Sequence, residues 1–353
     1  MKKKYRILQF SAGFQLGDAI TQEMISLDQT FVQSGYKTKI FSENINQPDR
    51  KLAQKFTKAD VQDNDIFIYH HSIHSDVLPF LLKFPNRKIL IYHNVTPKHY
   101  FEPYDLRFSY LLAEGRKDLS IIQEKFHDFF AVSEYNRQEL IENGFQNVHL
   151  LPLSLNFSKW KKEGISKHNK DFLQFLFVGR IAPNKRQDDL IRFAKIWKEV
   201  TKRPFQFNLV GFCNPNQKSY LAELEFMIHT YELKDLVHII SFVDLQSLSR
   251  HYQESDYFIS MSEHEGFCVP LMEAMYFNLP VFAYKAGAVE ETLGGSGILF
   301  TEKNFINLVE NIVSLDSDQT KKNQLIEQQT NRLNQYLSIQ HSKALIDLIE
   351  NIK

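Results

Sequence analysis

The sequence predicts an α/β chain built from two doubly wound parallel sheets. Three observations carry that expectation: short apolar runs recur with longer amphipathic stretches between them, the runs fall into two series, and a polar, lysine-rich stretch separates the series. A chain of 353 residues with 43% hydrophobic content is long enough for two cores. The expected domains are residues 1–155 and 171–335, with a linker at 156–170 and a C-terminal helix at 336–353 completing the first domain.

The elements follow in order. "YRILQF" reads as the first strand, and "FSAGFQLGDAITQEM" as a glycine-containing loop in which Asp18 caps a helix running to about Gln33. "KTKIF", "IFIYH", "KILIYH", "DFFAVS" and "VHLLPL" continue the first series. Residues 154–171 have no periodicity. "FLQFLFVG", "FQFNLVG", "VHIISF", "DYFISMS", "PVFAY" and "GILF" form the second series. From about Thr320 the chain reads as helical, and Leu345, Ile346, Leu348 and Ile349 need a surface to cover.

Within "SEHEGFCVPLMEAM" a continuous helix is excluded, because Pro270 cannot donate a backbone hydrogen bond and biases Val269 toward extended geometry. Pro270 therefore reads as the first residue of a helix, with Glu265 in the preceding loop and Glu273 in the first turn.

Composition excludes some functions. Lys+Arg 42 balances Asp+Glu 42, so no net field recruits nucleic acid, and an anionic ligand must be held by local groups. Two distant cysteines, Cys213 and Cys268, give neither a disulfide framework nor metal spacing, and Cys268 reads as a small residue in a tight loop. The start is a poor signal peptide and no segment reaches the roughly 18 apolar residues of a membrane span. The expected location is the cytoplasm, with Lys2, Lys3 and Lys4 either a solvated tail or a peripheral contact with the inner face of the membrane.

In open parallel sheets ligands sit beyond the carboxyl ends of the strands, and with two such sheets the natural site is a cleft between domains. Gly179 and Arg180 end one strand and Lys185 precedes the next helix, so one loop offers two cations to a diphosphate; the plainer reading is two solvated cations. Gly266 and the backbone amides of Phe267, Cys268 and Val269 form a helix start suited to phosphate. Glu273 would then reach a ribose diol and Glu265 a sugar, where the plainer reading is a helix-dipole partner and a solvated loop acid.

"FVGRIAPNK" followed by "SEHEGFCVPLMEAMYFNLPVFAYKAGAVEE" resembles the family 4 retaining glycosyltransferases, which have the GT-B fold of two Rossmann-like domains facing across a cleft. Their signature is two glutamates with seven residues between, downstream of an Arg/Lys pair. The resemblance spans most of the second half of the chain. It implies that Arg180 and Lys185 bind the donor diphosphate, Glu273 the ribose and Glu265 the transferring sugar, with residues 286–289 as a second loop near that sugar and Glu291 following. The nucleobase is expected near Gly211 and residues 241–244.

In the first half, Gly17 stands where the family's first loop approaches donor phosphate or acceptor; the family's double glycine is absent, because Asp18 follows. "YHNVTPKHYFEPYD" resembles members acting in bacterial surface polysaccharide assembly, which places His93 beside the donor sugar. Lys98 to Leu112 interleaves aromatic and basic residues on the first domain, a candidate acceptor surface with Asp18, Tyr100 and Tyr104, or else buried packing. His70, His71 and His74 lack zinc-motif spacing and read as cleft lining or strand-end packing. Asp63 to Asp65 precedes a strand and Asp316 to Asp318 caps a helix, so no metal or other cofactor is expected.

The expected activity is retaining transfer of a hexosyl or deoxyhexosyl group from a nucleotide diphosphate sugar to a hydroxyl of a glycan or lipid-linked acceptor. Arg180 and Lys185 would meet leaving-group charge, while His93 and Glu265 orient the sugar; Glu265 as a covalent nucleophile is the alternative. Guanosine, thymidine and uridine donors remain open. A non-catalytic nucleotide-sugar-binding partner subunit and a GT-B nucleotide-sugar epimerase are the rival readings.

Overall fold

The computed structural model describes residues 5–46, 49, 51–162, 172–241 and 243–352. The chain divides into two compact units, one of residues 1–99, 106–155 and 339–353, the other of residues 100–105 and 156–338. The expected linker at 156–170 lies partly outside the described residues.

The first unit holds a parallel sheet of β1 (Arg6–Phe14), β2 (Lys37–Ile45), β3 (Gln54–Lys55), β4 (Asp65–His71), β5 (Lys88–Tyr92), β6 (Asp128–Ala131) and β7 (Val148–Leu150), in the order β3-β2-β1-β4-β5-β6-β7. Its helices include α1 (Ala19–Gln33), α2 (Val77–Leu81), α3 (Leu106–Lys125) and α4 (Glu134–Glu142). Every residue of β4 and β5 is buried, which is why their central runs, Ile66 to Tyr69 and Ile89 to Tyr92, read as continuous apolar stretches rather than alternating ones. Phe10 stacks on Phe41 at 5.3 Å and meets Phe67 edge-on at 5.4 Å. Asp18 caps α1, its carboxylate accepting from the Ile20 and Thr21 amides at 3.1 and 3.3 Å. Gly17 turns the chain into that cap at φ +92°.

Two details differ from the expectation. β1 continues through "SAGF", because Gly13 and Phe14 pair with Asn44 and Ile45 of β2, so the loop shrinks to residues 15–18. β3 is a two-residue strand of exposed Gln54 and Lys55, which carries no apolar signal.

Glu23 on α1 is buried and accepts from the Ser154 amide at 2.7 Å. Burial raises its pKa to about 7 against the partial relief of that amide. A raised carboxyl favours the folded state when protonated, so its contribution is fully present below about pH 4.5 and lost as pH rises through about 7. Glu23→Gln is expected to exceed the parent in stability at pH 8, by on the order of 3 kcal/mol, with the gap closing toward pH 5. Melting temperatures across pH check this, and a pH-independent gap would refute it.

The second unit holds a parallel sheet of β8 (Leu173–Val178), β9 (Phe205–Val210), β10 (Val237–Ile240), β11 (Tyr257–Ser260), β12 (Val281–Tyr284) and β13 (Ile298–Phe300), in the order β10-β9-β8-β11-β12-β13. Around it lie α5 (Gln187–Thr201), α6 (Lys218–Thr230), α7 (Leu245–Glu254), α8 (Val269–Tyr276), α9 (Val289–Leu293), α10 (Phe305–Ser317) and α11 (Gln319–Leu337). Its core is aromatic: Trp197 packs edge-on against Phe175 at 4.9 Å, and Phe193, Phe205 and Phe207 close around the same ring. After α11 the chain returns to the first unit as α12 (Lys343–Glu350), burying Leu345 and Ile349. There the Tyr5 hydroxyl donates to the Ile352 carbonyl at 3.3 Å.

In each sheet the winding direction reverses once, between β1 and β4 and between β8 and β11. The carboxyl ends of those strand pairs are where open α/β sheets bind ligands.

Candidate functional site

In the second unit the reversal is flanked by the β8–α5 loop and the β11–α8 loop, which are joined by ion pairs. Lys185, in a 3-10 turn spanning Pro183–Lys185, donates to Glu265 Oε2 at 2.7 Å. Both side chains are largely removed from solvent. Burial alone would push the Glu265 pKa up; the Lys185 ammonium and the Ser262 hydroxyl more than offset it and hold it below the usual carboxylate value. Arg180 behaves differently. It is exposed at the end of β8, and among the described residues its guanidinium meets no carboxylate.

α8 starts one residue earlier than the proline suggests: Val269 is its first residue and Pro270 its second, so Glu273 lies in the second turn. A second-position proline is tolerated because first-turn amides have no intrahelical acceptor anyway. Cys268 makes the entry, in the left-handed region at φ 76° and buried. Burial first, and Glu265 second, push its thiol pKa well up, so it stays a neutral packing residue. The amides of Phe267, Cys268 and Val269 donate to no acceptor among the described residues.

Glu273 faces Tyr252 of α7, whose hydroxyl donates to Oε2 at 2.6 Å. Tyr252 is fully buried, parallel to Phe277 at 5.3 Å and to Phe258 at 6.1 Å. Burial raises the Glu273 pKa to about 7 and the Tyr252 hydrogen bond partly offsets that.

The segment after β12 braces the Glu265 loop. The Ala288 amide donates to the Glu265 carbonyl at 3.0 Å, and the Thr292 hydroxyl donates to the Phe267 carbonyl. Gly287, at φ +55°, lies so close that a Cβ would stand 2.3 Å from the Glu265 carbonyl oxygen. Glu291 lies on α9, where its carbonyl accepts from Arg332 at 2.7 Å. Gly179 and Gly211 end adjacent strands, and a Cβ on Gly211 would stand 1.8 Å from the Gly179 carbonyl oxygen. Among residues 241–244, Phe242 lies outside the described residues, and Asp244 caps α7 through the Ser247 amide at 2.7 Å.

Sequence reasoning missed a charge network beneath this site. Arg186 meets Asp188 at 2.9 Å and Glu263 at 2.9 Å, while Lys303 meets Asp189 and Glu263 at 2.6 Å each. It also missed buried Asn184, whose carbonyl accepts from the Glu263 amide at 2.9 Å. The adjacent acids Asp188 and Asp189 in the first turn of α5 were the available signal, as partners of the helix dipole. Nothing local marks Lys303 or Tyr252.

Tyr100 and Tyr104 require a correction: residues 100–105 pack with the second unit, not on an aromatic surface of the first. Tyr104 meets the Tyr220 ring edge-on at 5.1 Å and donates to Glu223 at 2.8 Å; burial first, then Glu223, push its pKa to about 12. The Tyr100 hydroxyl is 3.5 Å from the Glu263 carbonyl.

In the first unit, Gly17 and Asp18 follow β1 and His93 follows β5. His93 Nε2 lies 2.9 Å from His70 Nδ1. His71 is buried between Tyr69 at 3.2 Å and the Gly115 carbonyl at 2.8 Å, while His74 pairs with Asp118 at 2.8 Å, a carboxylate partner the sequence did not reveal. The acidic pairs are engaged: Asp65 with Arg6 at 2.7 Å, Asp316 with Arg203 at 2.6 Å, and Asp318 as the cap of α11. Among the described residues no cluster of three or more His, Cys, Asp or Glu side chains could hold a metal. Among the described residues no helix is long and apolar enough to cross a membrane.

Residues 158–332 match the sequence model of the family described as glycosyl transferases group 1. The O-antigen chain mannosyltransferase RfbU of Salmonella typhimurium is 28% identical over 160 residues, covering 42% of this chain and 43% of that protein's length. Among solved structures, Anabaena Alr3699/HepE in complex with UDP and glucose superposes with a TM-score of 0.78 at 15% identity, over 98% of this chain and 100% of that one. Sucrose-phosphate synthase from Thermosynechococcus elongatus gives 0.76 at 14% identity, over 98% and 100%. The chain has the GT-B fold.

Proposed function

With a GT-B fold and a group 1 glycosyl transferase segment as premise, we propose that this protein is a retaining glycosyltransferase of surface-polysaccharide synthesis. It moves a hexosyl or deoxyhexosyl group from a nucleotide diphosphate sugar to a glycan or lipid-linked hydroxyl. The supporting observation is the Lys185–Glu265 pair at 2.7 Å, which ties two loops together at the winding reversal of the second sheet. The relatives bear on both substrates: one is an O-antigen mannosyltransferase, and one structure carries UDP and glucose.

In this reading Arg180, Lys185 and the amides at the start of α8 take the diphosphate, with no metal required. As the glycosidic bond breaks, the growing negative charge on the leaving phosphate meets those donors. Glu265, kept as a carboxylate by Lys185, faces the sugar, which becomes cationic, and His93 orients a hydroxyl. The leaving phosphate takes the acceptor proton on the face it departs from, which gives retention.

Glu273 accepts from the ribose diol, a task that requires its ionised form. Donor binding is therefore expected to weaken as pH falls through about 7. Tyr252→Phe removes a donor to Glu273, so its pKa rises further and the acid limb moves to higher pH. The donor KM at pH 7 is expected to rise roughly tenfold with kcat nearly unchanged, since loss of a hydrogen bond to a charged group costs about 1.5–3 kcal/mol. A KM profile superposable on the parent's would remove Tyr252 from this role.

A thermal-shift panel of GDP, UDP and dTDP tests the donor assignment, followed by transfer and hydrolysis assays with sugars of the favoured base. At least one diphosphate should raise the melting temperature, and Arg180→Ala should weaken that binding about tenfold or more. No shift with any of the three would overturn the reading. Binding without turnover would favour a non-catalytic subunit, and an isomerised donor with no acceptor added would favour an epimerase.

A further inference from the structure

A line of hydrogen bonds running from the middle of β1 through the carboxyl end of β4 to the residue after β5 determines which nitrogen of His93 carries its proton. Gln9 on β1 donates Nε2 to the Met24 carbonyl at 3.0 Å. A carbonyl can only accept, so this contact fixes the amide and turns Gln9 Oε1 the other way, 3.0 Å from His70 Nε2. The flipped amide would set two acceptors against each other in a buried place. An amide oxygen also only accepts, so His70 Nε2 carries the hydrogen. A neutral ring has one such hydrogen, and His70 Nδ1 is left as a bare lone pair.

That lone pair lies 2.9 Å from His93 Nε2, with the rings 26° from parallel. Two bare nitrogens would repel, so His93 Nε2 must donate. Its ring hydrogen thus engaged, His93 keeps a lone pair at Nδ1, which has no partner among the described residues on a side chain that is partly exposed. Burial drives both rings toward the neutral form, the His70 pKa well below its ordinary value and the His93 pKa to about 3.

We propose that Gln9 and His70 are positioning residues that hold His93 in its Nε2–H tautomer, so that Nδ1 accepts a hydrogen from a ligand hydroxyl and disfavours a phosphate oxygen. The tautomer is a property of the first unit alone. Only the identity of the hydroxyl, on a sugar or an acceptor glycan, rests on the transferase reading.

Ring-nitrogen NMR of the full chain carrying 15N-labelled histidine, at neutral pH, reads the tautomer directly. His93 is assigned from the signals lost in His93→Gln. The parent should show protonated Nε2 and bare Nδ1 at His93. Gln9→Met, which removes the anchor, and His70→Phe, which removes the acceptor, should each give a mixture of the two tautomers. A parent spectrum with His93 protonated at Nδ1 would overturn the proposal, as would an unmixed Nε2–H form in either folded variant. The parent spectrum decides alone if neither variant folds, and none of these readouts depends on turnover, so a failed transfer assay leaves them intact.

Discussion

Lys185→Met is expected to lower sugar transfer at least 100-fold and the melting temperature on the order of 10 °C. The methionine keeps the stem and removes the ammonium, leaving Glu265 as a buried carboxylate without its partner. Breaking such a pair from one side costs about 3–5 kcal/mol, because the remaining charge cannot return to water. Glu265 would respond by taking a proton, since Lys185 is what holds its pKa below the usual value. The sign follows: a depressed carboxyl contributes stability that is present above about pH 4.5 and lost as pH falls through its lowered value, so the loss in Lys185→Met should be full at neutral pH and shrink in acid. Adding Glu265→Gln removes the stranded charge. The double variant should recover most of the melting temperature and none of the transfer. Recovery of both would mean the pair is structural alone, and stability unchanged in the single variant would contradict its burial.

Gly287→Ala should be nearly as damaging, by another route. Its left-handed backbone strains any residue with a Cβ, at about 1–3 kcal/mol. In addition the new methyl group would stand 2.3 Å from the Glu265 carbonyl oxygen and 2.9 Å from its amide nitrogen, so one loop must move. A displacement of about 1 Å at a reacting centre costs roughly 100-fold. Gly295→Ala is the control, because Gly295 is also left-handed, at φ +82°, but has nothing within 4 Å of a Cβ. It should carry the conformational cost alone and keep most of its transfer activity. Equal transfer rates in the two variants would show that the close approach at Glu265 is unimportant.

Much of the architecture was legible because parallel strands buried on both faces carry continuous apolar runs through their centres. The six runs read in each half correspond to β1, β2 and β4–β7 and to β8–β13. What escaped lacked an apolar cue: the two-residue β3, and the "SAGF" extension of β1, which is held by ladder pairing with β2. The start of α8 was missed by one residue because proline marks the first turn rather than its first position.

The site was legible in its parts and not in its assembly. Both loops that flank the second reversal were chosen from strand ends and a proline-marked helix start. No spacing rule, however, joins Lys185 to Glu265, 80 positions apart, or Tyr252 to Glu273 across two elements. The sequence reading had set Lys185 and Glu265 on different parts of a ligand. In the structure they meet each other at 2.7 Å, so a ligand that recruits Lys185 must compensate for loosening it from Glu265.

The return of α12 to the first unit bears on biosynthesis. A ribosome releases the residues that carry Leu345 and Ile349 only after the whole of residues 156–338 has been made. At roughly 5–20 residues per second, the nascent first unit waits on the order of 10–40 s with the apolar surface meant for that helix uncovered. Over that interval the growing polypeptide is a substrate for holding chaperones, and a premature stop before Lys343 would make the exposure permanent.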